Sequence, residues 1–240
     1  MTTLARMAIA ALLALFTSSC AFDINFGEGK RGNGEVVEES RKVMDEFTEV
    51  HASEGLDVFV TQGNDFGITI EADENIIELI GTDVRNGRLK VHAIENIGRA
   101  TKNIYVTLPR VSALSTSSGA DLIAQNTISA DKIELDASSG SDLEVEVDAQ
   151  EVIAETSSGA DIKVSGRTEV LHADASSGSD IRARGLVAKR CTADASSGAD
   201  ISVNVSESLV ADASSGADIS YTGDASVQKK KSVSGSVHKY

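Results

Sequence analysis

The sequence predicts an all-β protein, a right-handed parallel β-helix (β-solenoid) with coils of about 19 residues, preceded by a short β-rich N-terminal section. The motif Ser-Ser-Gly-(Ala/Ser)-Asp-(Ile/Leu) occurs six times at intervals of 18 to 21 residues. Apolar and polar residues alternate around each copy with the period of a strand that has one buried face. The composition, with 4% aromatic residues and no Trp, suits a narrow aliphatic interior.

The N-terminus is predicted to be a lipoprotein-type signal peptide over residues 1–19. Its apolar run, Met7 to Phe16, is too short to cross a bilayer. Small residues and Cys20 follow, as in bacterial lipoproteins, where this cysteine is acylated. The alternative is an ordinary secretory peptide that is cleaved nearby. Lipidation of Cys20, with Ala21 after it, predicts an exported cell-envelope protein held at the outer membrane and partnered with the membrane through its lipid anchor.

The charge balance excludes some classes of partner. The net charge is −15, and it becomes −16 when residues 1–19, whose one charged side chain is Arg6, are removed. Such a surface repels phosphate backbones, so nucleic acid is not expected as a partner. With Cys20 acylated, Cys191 has no cysteine partner, which excludes a disulfide framework. Cys191 occupies a position where other repeats carry Ile, Val or Leu, so it is predicted to be a small buried hydrophobe.

Two segments precede the regular repeats. Residues 20–44 are rich in Gly and mixed charge, and we expect a flexible tether. Residues 45–110 form the N-terminal section or cap of a single β-helix domain that covers 45–237. This section has strand-like runs at 58–60, 68–70, 89–91 and 104–108. Asn86-Gly87 predicts a hairpin turn, and residues 74–80 predict one or two helical turns.

Residues 111–237 carry the regular repeats, with a weak seventh copy at 234–237 and a degenerate earlier copy at 53–58. One coil cannot bury its apolar face alone, but stacked coils about 4.8 Å apart form continuous apolar ladders. The crossover rule favours right-handed winding. The motif glycines are expected at corners with positive φ, where neighbouring serines satisfy the backbone. They are Gly119, Gly140, Gly159, Gly178, Gly198 and Gly216.

Acidic residues recur at two positions of the repeat. The first column comprises Asp121, Asp142, Asp161, Asp180, Asp200 and Asp218. The second comprises Asp136, Glu155, Asp174, Asp194 and Asp212. Carboxylates 4.8 Å apart repel by roughly 0.9 kcal/mol per pair in water, so something must offset this. The favoured interpretation is that each Asp of the first column accepts backbone N–H groups at its corner. The alternative is a calcium ladder on the first column, although the Gly-Gly-x-Gly-x-Asp spacing of calcium-binding β-rolls is absent.

No catalytic constellation is evident, and no cofactor is expected apart from this calcium alternative. An active site needs a non-repeating cluster of acid, base and cation on one face. The clearest breaks in the repeat are basic, and we interpret them as a solvated patch that balances the acidic columns. They are Arg182, Arg184, Lys189 and Arg190, with His172 nearby. Lys229 to Lys231 are interpreted as a guard against edge-to-edge strand pairing at the solenoid end.

Three non-repeat segments, together with the Ser-Ser-Gly-Ala-Asp copies, carry a family resemblance. They are Phe47 to Val58, Asn86 to Val91 and Ile104 to Pro109. Over residues 45–237 the chain resembles the bacterial auto-transporter adhesin family with a head GIN domain. The resemblance implies a right-handed β-helix on an exported, often lipid-anchored protein, and it brings no catalytic residues.

The function expected from the sequence is a non-enzymatic cell-envelope lipoprotein that presents an acidic solenoid surface as an adhesin or scaffold. A glycan or a protein on the cell surface is the expected ligand. The alternative is a glycan-active lyase or hydrolase, with or without calcium. Homo-oligomers formed through the solenoid ends or flat faces are compatible with either function.

Overall fold

The computed structural model describes residues 29–230 and 234–240, and nearly all of the regular structure in them is strand. The strands are β1 Val36–Arg41, β2 Glu49–Ala52, β3 Asp57–Gln62, β4 Gly67–Asp73, β5 Ile80–Arg85, β6 Arg88–Ala93, β7 Lys102–Leu108, β8 Ala113–Thr116, β9 Asp121–Ala124, β10 Ile128–Ser138, β11 Asp142–Ser157, β12 Asp161–Ala175, β13 Asp180–Ala195, β14 Asp200–Ala213, β15 Asp218–Thr222, β16 Ser226–Lys229 and β17 Ser236–Lys239. A 3-10 turn covers Ile77–Leu79, within the predicted helical stretch. In this part of the chain, no helix has the length and apolar character needed to cross a membrane.

The regular part is a β-solenoid in which strands of consecutive coils pair in parallel. Each of β11 to β14 follows most of one coil and pairs with the strand of the next. Leu143 pairs with Ile162, and Val152 with Leu171, so like residues lie over one another. The inward side chains form a single core of Ile, Val, Leu and Ala ladders that are almost fully buried. This arrangement confirms the predicted fold class.

The coils at the N-terminal end do not stack in chain order. The coil made by β2 and β3 lies between the β6–β7 coil on one side and the β8–β9 coil on the other. Val50, for example, pairs with Leu89 of β6 and with Leu114 of β8. The degenerate copy at 53–58 is therefore the corner of a true coil. After β3 the chain forms β4 and β5, which lie outside the parallel stack. It then places β6 and β7 on one side of β2 and β3, and finally β8 and β9 on the other side.

Antiparallel strands close this end of the solenoid. β4 pairs with β7, β1 pairs with β4, and β5 pairs with β6. The β5–β6 connection is the Asn86-Gly87 turn, with φ of 53° and 78°, as the sequence predicts. Because these strands cover the first ladder, the apolar side chains of β7 and β6 are not left facing water. Leu89 and Ile104 are completely buried.

The segment expected to be a tether contributes β1 and the loop before it to this cap. The Asp73 carboxylate is buried and accepts hydrogen bonds from the backbone N–H groups of Gly34 and Thr101. Asn75 accepts from the N–H of Asn33 and donates to the carbonyl of Arg31, both at 2.9 Å. Residues 36–41 of the expected tether at 20–44 are therefore a strand of the cap, not a flexible segment. Residues 20–28, like the signal peptide and Cys20, lie outside the described residues.

The Ser-Ser-Gly corners are tight turns in which two consecutive residues have positive φ. The six motif glycines have φ between 67° and 77°, and the serine before each has φ between 52° and 57°. Positive φ at both central residues is the signature of a type I′ turn. Each glycine N–H donates to the carbonyl of the corresponding serine in the next coil, as Gly159 does to Ser177 at 3.2 Å. The corners thus form their own hydrogen-bonded column along the solenoid.

Candidate functional site: outward columns and groove

The first acidic column exists as a continuous row of carboxylates. The strand register places Asp121, Asp142, Asp161, Asp180, Asp200 and Asp218 side by side in six successive coils. Asp57 of β3 pairs with Asp121 and extends the row by one coil. The structure therefore brings together all six residues that the repeat singled out, and it adds a seventh from the degenerate copy.

Two different contacts relieve repulsion in this column. The Arg182 guanidinium lies between two carboxylates, 3.1 Å from Asp161 and 2.7 Å from Asp180. Further along, a backbone hydrogen bond from Asp218 lowers the pKa of Asp200. Burial outweighs that bond and, with the charges of Asp180 and Asp218, leaves the pKa of Asp200 above its ordinary value. Burial, followed by the charges of Asp142 and Asp57, likewise raises the pKa of Asp121.

The second acidic column is also in register, on the strand segments that precede each corner. It runs through Asp136, Glu155, Asp174, Asp194 and Asp212. Burial raises the pKa of Asp136 and of Asp174. At the C-terminal end the Lys230 ammonium lies 3.4 Å from Asp194 and 3.7 Å from Asp212. Lys230 thus contributes to the charge balance of the second column.

The N-terminal continuation of the second column contains a histidine that sequence reasoning missed. His51 Nδ1 lies 2.9 Å from Ser115 Oγ, and its Nε2 lies 3.4 Å from Ser117 Oγ. Burial, then the charges of Arg88 and Lys90, lower the pKa of His51. The copy of the motif that follows His51, at 53–58, is degenerate, so alignment on the motif glycines did not reveal that His51 lies in this column.

This histidine lacks the geometry of a nucleophile-activating base. Ser115 stands between His51 and Asp136 in the order of the coils, because it pairs with both. In a serine–histidine–carboxylate triad, the histidine must lie between the other two groups. Here both ring nitrogens lie within hydrogen-bond distance of serine hydroxyls, and no hydrogen bond to a carboxylate is found for the ring within residues 29–230 and 234–240. The arrangement is suited to holding two coils together.

Among residues 29–230 and 234–240, no group of three or more His, Cys, Asp or Glu side chains converges in a way that could hold a metal ion. The column carboxylates are spread along a line, whereas calcium takes six to eight oxygen ligands around one point.

The basic residues that break the repeat do not form a single patch. Arg182 forms ion pairs with Asp161 and Asp180 of the first acidic column. Arg184 lies at an irregularity in the register of β13, with its guanidinium 3.9 Å from the centre of the Tyr240 ring. It also donates to Ser220 Oγ at 3.1 Å. Lys189 instead pairs with Glu169 at 2.8 Å, in a groove on another part of the surface.

That groove is a concave feature of the described surface with a volume of about 1110 Å³. Its lining contains none of the Ser-Ser-Gly corner residues, and it crosses the coils from Thr48 to Ser206. Its apolar floor includes Ala130, Ala149 and Val187, and Val187 is 50% exposed. We call it the axial groove. No repeated motif marks it, because the residue at each of its positions changes from coil to coil.

Cys191 occupies the interior of β13, as predicted. Its side chain is buried among the ladder residues, and burial raises the pKa of the thiol to about 12. A thiol in this state has almost no thiolate at neutral pH, so it acts as a packing group.

Comparison with known proteins assigns the family. Residues 46–225 match the family described as "putative auto-transporter adhesin, head GIN domain". The chain belongs to this family. That membership agrees with the resemblance found in the sequence, and it indicates an exported, cell-surface protein with an adhesin-type role. The sequence has no significant match to a curated protein.

Solved structures share the fold. A "putative adhesin" from Bacteroides fragilis has a TM-score of 0.80 at 20% identity, covering 88% of this chain and 100% of that one. A "putative lipid binding protein" from Parabacteroides distasonis has a TM-score of 0.73 at 19% identity, with coverages of 88% and 99%. A "putative adhesin" from Parabacteroides merdae has a TM-score of 0.71 at 18% identity and the same coverages. At these identities the likeness concerns the fold alone.

Proposed function

We propose that the protein is a non-enzymatic adhesin that is anchored to the outer membrane through acylated Cys20. Its solenoid presents an acidic surface to surfaces outside the cell. Family membership supports the adhesin role and the exported location. The anchor rests on the sequence of the first 20 residues, and the acidic character rests on the net charge of −15.

The observation that carries this proposal is the register of outward side chains over successive coils. A wall in which the same carboxylate recurs at each step offers many equivalent weak contacts, and multivalent attachment gains strength from such repetition. A reaction centre needs a unique cluster instead. Within the part of the chain that the structure describes, the His51–Ser115 contact is the closest approach to one, and its order of groups is unsuited to catalysis.

The test compares cells that carry the intact gene with a deletion strain and two complemented strains. The deletion should reduce attachment to host or abiotic surfaces, and the wild-type gene should restore it. A Cys20→Ala variant should be exported but released from the membrane, should not incorporate labelled fatty acid, and should fail to restore attachment. Full attachment by the deletion strain would contradict the adhesin role. Full attachment by Cys20→Ala would contradict the anchor alone.

The enzyme alternative has its own measurement. Purified protein is incubated with a panel of acidic and neutral polysaccharides and assayed for new unsaturated or reducing ends. We expect none above the level of a heat-denatured sample. Turnover that is lost in a His51→Ala variant would replace the adhesin proposal with a catalytic one.

A further inference from the structure

The axial groove has the dimensions of a site for one extended chain. It crosses the coils of β2, β8, β10, β11, β12, β13 and β14, which at about 4.8 Å per coil is a length of about 29 Å. A feature that extends over this many coils fits a linear polymer lying along the solenoid axis better than a compact small molecule.

The walls of the groove are built from ion pairs that join one coil to the next. Arg167 donates through Nε to Asp148 at 2.9 Å, 19 positions earlier in the chain. Lys189 lies 2.8 Å from Glu169. Lys132 lies 2.9 Å from Glu134 on its own strand and 4.0 Å from Glu151 of the next coil, and both of these carboxylates lie outside the residues that line the groove. These pairs follow one another across β10, β11, β12 and β13. Because these side chains are 40–76% exposed, they keep N–H groups and lone pairs that are accessible to a ligand.

The groove is nearly neutral in a strongly acidic protein. Four basic side chains and three acidic ones line it, whereas the whole chain has a net charge of −15. A polyanion would meet the acidic lining and the field of the whole protein, and a polycation would meet four ammonium or guanidinium groups. An uncharged chain avoids both penalties. Its hydroxyl groups can donate to the carboxylates and accept from the cations of the same pairs.

A peptide strand is not supported, because it would need an unpaired strand edge for main-chain hydrogen bonds. Under the groove, Ala149, Thr168 and Ala188 each pair with both neighbouring coils, and beside them the register of β11, β12 and β13 skips only single residues, which do not form a continuous free strand edge. The exposed floor at Val187, with Ala130 and Ala149, offers apolar contact to C–H groups, and Gln150, Thr168 and Ser206 offer polar contact nearby. Sugar rings present these two kinds of surface together, and successive rings of an extended chain advance by about one coil.

We propose that the axial groove binds an uncharged linear glycan whose chain lies along the solenoid axis. This inference rests on the proposed adhesin function and gives it a ligand class. Each sugar unit would lie over about one coil, so affinity should increase with chain length until the groove is filled.

The experiment uses the mature full-length chain and calorimetric titration with neutral linear hexasaccharides, namely cellohexaose, xylohexaose and mannohexaose. At least one should bind, and its hexasaccharide should bind at least tenfold more tightly than its trisaccharide. Hexagalacturonate, a linear polyanion of equal length, should bind more weakly. Absence of binding by all three neutral chains, or tighter binding of hexagalacturonate, would overturn the inference.

A matched pair of double variants locates the site. Asp148→Asn with Arg167→Gln removes one ion pair from the groove and leaves the net charge unchanged. Glu144→Gln with Lys163→Gln removes a 2.7 Å pair that joins the same two coils on another face. The first should weaken hexasaccharide binding about tenfold, and the second should leave it unchanged. Equal effects would place binding elsewhere and overturn the inference.

The attachment assay keeps this inference separate from the adhesin proposal. If deletion abolishes attachment but the groove variant attaches normally and no neutral glycan binds, the adhesin role stands and the groove inference falls. If the deletion strain attaches normally, the adhesin role falls whatever the calorimetry shows.

Discussion

Thr116 and Ser141 share a hydrogen bond of 2.9 Å between their hydroxyl groups, across one step of the solenoid, and both are completely buried. The same contact recurs two coils later between Thr156 and Ser179, also at 2.9 Å. The equivalent positions of the other regular coil boundaries are paired alanines, Ala137 with Ala160, Ala175 with Ala199 and Ala195 with Ala217. At the boundaries between the six strong copies, threonine and serine therefore occur together or not at all, which indicates one coupled unit.

A double-mutant cycle tests that coupling. Ser141→Ala should lower the free energy of unfolding by about 1–3 kcal/mol, because it leaves the buried Thr116 hydroxyl without this partner. Thr116→Ala should cost less, since the Ser141 hydroxyl keeps its 2.8 Å bond to the carbonyl of Ser138. The double variant recreates the Ala–Ala boundary, so its cost should be smaller than the sum of the two. Additive costs in urea denaturation would show that the hydroxyls are not coupled.

The solenoid body could be predicted because two periods agree in the sequence. The alternation of apolar and polar residues with period two assigns each side chain to the core or the surface. The repeat interval of about 19 residues places like residues in register in neighbouring coils. The N-terminal end could not be predicted in the same way. The β6–β7 coil stacks on β2–β3 from the side opposite to β8–β9, and no interval in the chain encodes that order. β1 was missed because four of its six residues are exposed and carry no alternation.

The columns and the axial groove differ in how much sequence signal they carry. The carboxylate columns repeat one residue type, so alignment on the motif glycine was enough to find them. The groove has a different residue in each coil and left no motif. One signal was available: Asp148 and Arg167, like Glu144 and Lys163, are opposite charges 19 positions apart. That spacing predicts cross-coil ion pairs once the period is known.

Two glycines should respond differently to substitution by alanine. At Gly159 the backbone has φ of 70° and a Cβ would meet no atom within 4 Å, so Gly159→Ala should cost about 1 kcal/mol from backbone strain alone. At Gly166, with φ of 107°, a Cβ would lie 2.0 Å from the carbonyl oxygen of Val147. Gly166→Ala must push two coils apart and should destabilise the fold severalfold more. Similar unfolding midpoints for the two variants would contradict this assignment.

Two carboxyl groups of the first acidic column should contribute stability that increases as the pH falls towards their ordinary pKa range. The pKa values of Asp121 and Asp200 are raised in the folded state, mainly by burial and then by neighbouring carboxylates. Each therefore holds its proton more tightly when folded than when unfolded, so protonation favours the folded state and ionisation opposes it. The stabilisation is complete below the unfolded pKa and is lost as the pH rises through the folded one.

The double variant Asp121→Asn with Asp200→Asn isolates this effect. Thermal unfolding should show the variant above the wild type in Tm at pH 7, with the difference shrinking as the pH approaches 4. Other groups, His51 among them, titrate in both proteins and largely cancel in the difference. A difference in Tm that does not change between pH 7 and pH 4 would show that these two carboxyls do not have raised pKa values.

Cys191 should be inert to thiol reagents until the solenoid opens. Its thiol is buried, and with a pKa of about 12 it carries almost no thiolate at pH 8. In a Cys20→Ala background, a disulfide reagent should label no thiol per chain under native conditions and one in concentrated guanidinium. Rapid labelling of the native protein at a rate independent of denaturant would mean that β13 is open at this position.

Calcium separates the two interpretations of the first acidic column. Neighbouring carboxylates repel, and the single charge of Arg182 is shared between Asp161 and Asp180. Any salt should therefore stabilise the column by screening. We expect millimolar calcium chloride to raise Tm no more than sodium chloride at equal ionic strength, after prior chelation of the protein. A metal ladder would instead bind calcium specifically, and the rise would exceed the sodium control and saturate. The Asp121→Asn with Asp200→Asn variant would then lose part of the calcium-specific rise, whereas a screening effect would shrink equally for both salts.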